Sequence, residues 1–277
     1  MIPEIELREL HTVAEFAALI ALEERIWGIG EGMNRELLTA MVHVGALAAG
    51  AFLEGEMVAL LLGMPTREAN VQHSHALGVL EEYRRYGLGA KLKWFQRDWC
   101  LQHDINRVQW TYDPLRVANA HLNLHKLGAS VGTHYRNYYG EMRGINAGAP
   151  SDRLLAEWDL RAPKVIALAG GARPRAFPTA QTTNSIQGSR PTEVHLDLEQ
   201  AQLGFTIPND LPTLQTKNPA LALEWREHSR AVLDHYLPLG YRLTDFDAQS
   251  KRYLLERDRR PRTPGPVSIG PQLRLED

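Results

Sequence analysis

Between residues 73 and 102 the hydrophobic pattern of this chain changes its period. Residues 73–80 form an apolar-rich run of strand type. From Leu88 onward, Leu92, Phe95 and Trp99 recur at helical spacing, with Lys91, Lys93, Arg97 and Asp98 on other faces. A short loop ending in Arg84-x-x-Gly87-x-Gly89 joins the two. A strand that passes so quickly into an amphipathic helix commits this part of the chain to helices packed on a sheet. It also puts glycines at the first turn of the helix, where backbone N–H groups lack partners and the helix dipole leaves partial positive charge. Glycine removes the Cβ that would hold an anion away from those N–H groups. Arg84 and Arg85 add donors at the rim. The stretch from Arg84 through Gly87, Leu88, Gly89 and Ala90 therefore suits a pyrophosphate.

The neighbouring segments read as follows. Residues 5–10 alternate apolar and charged, as a half-buried strand does. Val13, Phe16, Ile20 and Trp27 lie at helical spacing, and Asn34 caps a second short helix through Met41. Two apolar runs, 45–53 and 57–63, meet at Glu54-Gly55-Glu56 as a tight hairpin. Residues 108–112 are a short strand stopped by Asp113-Pro114. Residues 117–127 are helical and end at Gly128, and residues 133–142 are aromatic and strand-like. The order β, α, α, β, β, β, α, β, α, β implies an α/β (α+β) fold with a mixed, mostly antiparallel central sheet flanked by helices.

Beyond residue 146 the texture shifts. Residues 154–160 read as a further strand, and 169–190, rich in Gly, Ala, Pro, Arg, Thr and Ser, as a linker. Order resumes with a strand at 204–208, a helix at 218–237 and a strand pair at 241–246 and 252–256, followed by a loose tail from Arg257. The expected domains are 1–146, a linker region 147–190 and a C-terminal β-α-β-β extension at 191–277. Both Lys126-Leu127-Gly128 and Pro238-Leu239-Gly240 follow a helix and precede a strand. This echo is that of a decayed half-repeat, or of a junction common to α/β proteins.

Composition excludes several classes. The chain has 277 residues, 44% hydrophobic and 23% charged, so it can bury a sizeable core. A formal net charge of −2 points to neither nucleic acid nor an anionic membrane as partner. The single cysteine, Cys100, allows no internal disulfide and no cysteine-built zinc site, and its place beside Trp99 suits a packed, inert thiol. The N-terminus has no basic region or apolar signal core, so the expected location is cytoplasmic.

The strand, loop and glycine motif resemble the GNAT superfamily of acyl-CoA-dependent N-acyltransferases over about the first half of the chain. Leu77-Gly78-Val79 is similar to the triplet that ends the family's central strand, and Arg84 to Ala90 to its helix-opening motif. Lys126-Leu127-Gly128-Ala129 is similar to the run that closes the next helix. The resemblance implies acetyl-CoA or another acyl-CoA as co-substrate, with its pantetheine arm on Leu77, Gly78 and Val79. It implies direct attack by an amine, here the amine of a small molecule, on the thioester. The chemistry needs a base for the amine, a donor for the oxyanion and a proton for the thiolate. A tyrosine often stands four residues before the glycine of the closing run, where this chain has Leu124. His125, beside it, and Tyr135, Tyr138 and Tyr139 are then the proton-donor candidates. Asn119 or Asn123 answers to an asparagine near the pantetheine.

Histidines supply the base candidates. His73 and His75 alternate along one strand, so both face one side, and imidazole titrates in the useful range. His75 is taken as catalytic, with His73 and Glu31, in the loop after the first helix, on the acceptor side. His121 and His125 stand at i, i+4, as metal ligands can on a helix, but no third ligand is near in sequence and no metal is expected. Glu81 and Glu82 read as solvated, and the basic cluster 257–262 as a short tail. A homodimer remains open. Three readings follow: an active N-acyltransferase, an acyl-CoA-binding module without turnover, and an interaction scaffold for which the glycines are only a turn.

Overall fold

The computed structural model describes residues 4–140 and 150–257, which divide into two units. The first takes in residues 4–110 and 158–171, the second residues 111–140, 150–157 and 172–257. The expected boundary at 146/147, the end of the aromatic strand at 141–142 and the tail beyond Arg257 lie outside the described residues.

In the first unit, strand β1 (Ile5–Glu9) leads to helix α1 (Val13–Trp27). Thr12 Oγ1 accepts from the Glu15 N–H, and the Glu15 carboxylate accepts from the Thr12 N–H. Asn34 caps helix α2 (Arg35–His43) as expected, accepting from the Leu37 N–H at 2.9 Å. Strands β2 (Leu47–Leu53) and β3 (Glu56–Pro65) form the expected hairpin. Its turn residues Glu54 and Gly55 take φ 50° and 84°, the left-handed pair whose twist matches that of the strands. Both strands are almost wholly buried, with helices α1 and α3 (Leu88–Gln102) packed on β3, which is why they read as continuous apolar runs rather than alternations. Strand β4 (Val71–Val79) pairs antiparallel with β3, and β5 (Arg107–Tyr112) pairs parallel with β4. The order is β1-β2-β3-β4-β5. Helix α5 (Pro163–Ala169), unseen in the sequence pattern, completes the unit.

The second unit begins with α4 (Val117–Ala120), which continues as a π-helical turn over His121–Lys126. Strands β6 (Ser130–Tyr135) and β7 (Arg153–Asp159) follow, β7 counting with this unit as far as Glu157. Then come β8 (Gln181–Thr182), the hairpin of β9 (Asn184–Gln187) and β10 (Arg190–Val194), and β11 (Gln202–Thr206). Helices α6 (Leu211–Lys217) and α7 (Pro219–Tyr236) precede β12 (Tyr241–Asp247) and β13 (Arg252–Arg257). The order is β7-β6-β12-β13-β11-β8, antiparallel except for the parallel pair β11–β8. Each unit is thus mixed α/β with a mostly antiparallel sheet, as expected.

Two expectations need correction. The segment 169–190 is not a bare linker, since it holds α5's last residue, β8 and β9, and Thr183 and Asn184 are buried. The aromatic strand ends at Tyr135. Asn137 takes φ 46° and its N–H is held by the Asp152 carboxylate at 3.0 Å, so Tyr138 and Tyr139 lie on a turn. The second unit is pinned by buried ion pairs. Arg226 on α7, 2% exposed, makes a bidentate contact with Asp113 at 2.9 and 2.8 Å, and Arg230 makes another with Asp152 at 2.7 and 2.8 Å. No helix among the described residues is long and apolar enough to cross a membrane.

Candidate functional site

The parallel pairing of β4 and β5 stops early. Val71, Gln72 and His73 pair with Arg107, Val108 and Gln109, and β4 then runs on through Val79 without a continuing partner in that register. At the same place β4 carries a bulge: Ser74 pairs with Gly63 and Ala76 with Leu62, leaving His75 as the extra residue. The pairing with β5 ends here, so the edge of β4 from the bulge to its end has no ladder partner in that register. Its other edge stays bonded to β3, with Gly78 opposite Leu60.

Gly78 has a packing role. A Cβ there would meet Ile26 Cδ1 at 2.8 Å and the Trp27 ring at 3.2 Å. Helix α1 therefore closes on one face of the strand only because position 78 has no side chain. Leu77 and Val79, its neighbours in the predicted triplet, are half-buried.

At the carboxyl end of β4 a 3₁₀ turn, Glu81–Tyr86, leads to Gly87 with φ 68°, a left-handed conformation that glycine adopts without strain. Helix α3 starts at once, with no side chain capping it and no acid in its first turn. Arg84, Arg85 and Gly87 are exposed, Gly89 and Ala90 are half-buried, and a Cβ at Gly87 would meet nothing within 4 Å. Leu88 is 1% exposed and anchors the turn from below. The first N–H groups of α3 thus have no side-chain cap, at the carboxyl end of β4, the position where α/β sheets receive anionic ligands. Arg84 is free to reach such a ligand. Arg85 is turned aside, with its Nη2 donating to Tyr86 Oη at 3.0 Å and its guanidinium over the Tyr86 ring.

The two strand histidines lie close together, ring centroids 6.5 Å apart. His73 is half-buried, and burial, with smaller contributions from His75 and Lys93, pushes its pKa down to about 4. His75 is exposed, and partial desolvation by the protein around it lowers its pKa. Both rings are therefore neutral at pH 7. Beneath them lies a buried polar layer that the sequence did not flag. Lys93 on α3, 1% exposed, donates to Ser74 Oγ at 2.8 Å and Gln96 Oε1 at 3.0 Å, and burial pushes its pKa down to about 7. Gln96 in turn donates to Gln72 Oε1 at 2.6 Å. Cys100 is fully buried here, its pKa pushed up to about 12 by burial, and is the inert thiol expected.

Glu31 is exposed in the turn after α1. That turn is fastened by two acids of α1: Glu23 Oε2 accepts from the Met33 N–H at 2.8 Å, and Glu24 Oε1 from the Gly30 N–H at 3.1 Å. Glu23 is 3% exposed, and its burial raises its pKa. Nothing in the sequence pattern singled it out.

The remaining predicted residues belong to the second unit. Asn119 is exposed on α4, whereas Asn123 is buried. Leu124 is fully buried, so the place of the family's tyrosine is filled by core. His125 is half-buried, and its Nδ1 lies 3.0 Å from Asp245 Oδ1 on β12. Its ring stacks on that of His121 at 4.9 Å, so the pair packs face to face. No group of three or more His, Cys, Asp or Glu arranged to hold a metal ion occurs among the described residues. Tyr135, Tyr138 and Tyr139 form a chain of ring contacts, 5.2 and 4.7 Å between centroids, and burial raises the pKa of Tyr138.

Residues 16–129 match the model of the acetyltransferase (GNAT) family. No curated protein matches the sequence. Similar solved structures include the ribosomal-protein-alanine N-acetyltransferase of Escherichia coli, 18% identical, covering 57% of this chain and 94% of that one with a TM-score of 0.48. A GNAT-family acetyltransferase of Streptococcus pneumoniae is also 18% identical, over 56% of this chain and 98% of that one, TM-score 0.47. The aminoglycoside 6'-N-acetyltransferase of Enterococcus faecium is 14% identical, over 56% and 97%, TM-score 0.44. Through residues 16–129 the chain carries a domain of the GNAT acetyltransferase family.

Proposed function

We propose that this protein transfers an acyl group, in the first instance acetyl, from acyl-CoA to the amine of a small molecule. The observation that carries the reading is the uncapped start of α3, opened by Gly87 and Gly89 at the point where β4 parts from β5. The N–H groups of that first turn, with Arg84, hold the pyrophosphate. The unpaired edge of β4 from the bulge to Val79 bonds the pantetheine amides and offers an N–H to the thioester carbonyl, where negative charge develops on attack. His75, neutral at pH 7 and open to solvent, accepts the proton of the attacking amine, and His73 borders the acceptor with Glu31.

A second reading is favoured by the buried Leu124, which removes the family's usual acid and suits a domain that binds acyl-CoA without turnover. Titration calorimetry with acetyl-CoA and thiol release with a panel of amines separate the two. Gly89→Glu should abolish acetyl-CoA binding and leave the fold intact, because the new carboxylate occupies the anion's place. Unchanged affinity in that variant would refute both.

A further inference from the structure

The C-terminal part of the second unit repeats a strand frame that the chain has already used once. In the first use, β4 lies parallel to β5, a helix follows, a glycine stops it, and the antiparallel pair β6–β7 comes next. In the second, β8 lies parallel to β11, helix α7 follows, a glycine stops it, and the antiparallel pair β12–β13 comes next. The stopping glycines, Gly128 and Gly240, take φ 73° and 87°.

The correspondence extends to single bonds. The N–H of Leu160, just after β7, donates to the carbonyl of Asn106, just before β5, at 2.9 Å. The N–H of Arg257, at the end of β13, donates to the carbonyl of Ala201, just before β11, also at 2.9 Å. Each middle strand carries a one-residue irregularity in the same place, after Val131 in β6 and after Leu243 in β12. Val131 and Leu243 are themselves the residues that pair where β6 meets β12. The two strand pairs are thus joined through equivalent positions, as a local two-fold axis requires.

The copies differ where the first receives its ligand. Between β4 and β5 the chain forms α3 with its glycine opening; between β8 and β11 it forms only the β9–β10 hairpin. In the first copy the parallel strands part after three pairs. In the second the gap is stitched shut by side chains. Thr183 N–H and Oγ1 both donate to the Gly204 carbonyl, at 2.7 and 3.1 Å. The Asn184 side-chain amide then donates to the Thr206 carbonyl at 2.8 Å and accepts from the Thr206 N–H at 2.9 Å. A side-chain amide here bonds the backbone as an amide of an extended ligand would. Thr183 is fully buried and Asn184 3% exposed.

We propose that residues 181–257 are a ligand-silent copy of the frame built by residues 71–160, in which Asn184 fills the gap, so that each chain takes up a single acyl-CoA. The count of one rests on the acyl-CoA reading above; the filled gap does not. Titration calorimetry of the full chain with acetyl-CoA should give one site per chain, lost in Gly89→Glu. Two sites, or one that survives Gly89→Glu, would overturn the proposal. No binding by the unaltered chain would instead sink the acyl-CoA reading. Hydrogen exchange then tests the gap by itself: Asn184→Ala should speed exchange of the Thr206 amide at least about tenfold with other strands of the unit unchanged. An unchanged Thr206 rate would remove Asn184 as the filler.

Discussion

The ammonium of Lys93 sits 3.6 Å from the centroid of the Trp110 ring, and among the described residues no carboxylate is paired with it. Its hydrogen bonds go to the neutral Ser74 and Gln96. A cation buried on these terms gives up most of its hydration for a ring face and two uncharged acceptors.

Stability should therefore rise with pH in a window where most proteins are flat. The pKa of Lys93 is about 7 when folded against 10.5 when unfolded. Between those values the unfolded chain binds the extra proton, so each step up in pH relieves a penalty on the folded state, on the order of 1 kcal/mol per pH unit. Cys100 works in the opposite direction above its ordinary value of 9.0. Denaturant midpoints from pH 7 to 9 should climb in the wild type and stay level in Lys93→Met, which should also be the more stable of the two at pH 7. A parallel rise in both proteins would show that Lys93 is not the source.

His73 predicts a loss at the acid end. Its pKa of about 4, against 6.5 for the free side chain, means that the unfolded state takes up the proton first as pH falls. Its contribution is whole above about 6.5 and declines towards 4, by roughly 3 kcal/mol in all. His73→Gln should flatten the stability profile between pH 6 and 4; a profile that keeps its slope would assign the loss to other groups.

His75 and the glycine cradle should separate chemistry from binding. His75→Ala is expected to lower kcat for the best amine about a hundredfold and to leave the dissociation constant for acetyl-CoA within about twofold. If kcat is retained, the base lies elsewhere.

Gly78 tests the other face of β4. Gly78→Val must push Ile26 and Trp27 outward, at about 1–3 kcal/mol. A melting temperature equal to that of the wild type would mean that the end of α1 yields freely.

The pair Asp113–Arg226 offers a test of the second unit. Asp113→Ala strands a guanidinium that is 2% exposed and should cost about 3–5 kcal/mol, whereas Asp113→Leu with Arg226→Met should cost much less. Equal losses in the single and double variants would contradict the burial of the ion pair.

The first ten elements could be read along the chain because their signals are local. Thr12 and Asn34 sit within three residues of the amides they cap, and the glycine turn at 87 lies between two clear periodicities. What escaped depends on partners far away. Strand β8 is two residues long and is held by β11 and by the bonds of Thr183 and Asn184, so its own composition still reads as linker. Tyr138 and Tyr139 leave the strand because Asp152, fifteen residues past Asn137, holds the turn. Lys93 looked like one more surface charge on α3, since its neighbours Trp110 and Trp158 come from later segments. Asp245 reaches His125 across 120 positions.

The extra residue at His75 has a consequence for any reshaping of β4. Ser74 and Ala76 stand opposite successive residues of β3, so these two positions, two apart in sequence, face opposite sides of the sheet. Deleting His75 would leave Ala76 opposite Leu62 and Gly78 opposite Leu60, with every side chain of residues 76–79 on the face it has now. The strand could thus lose that imidazole and its irregularity while Gly78 kept its place against Trp27.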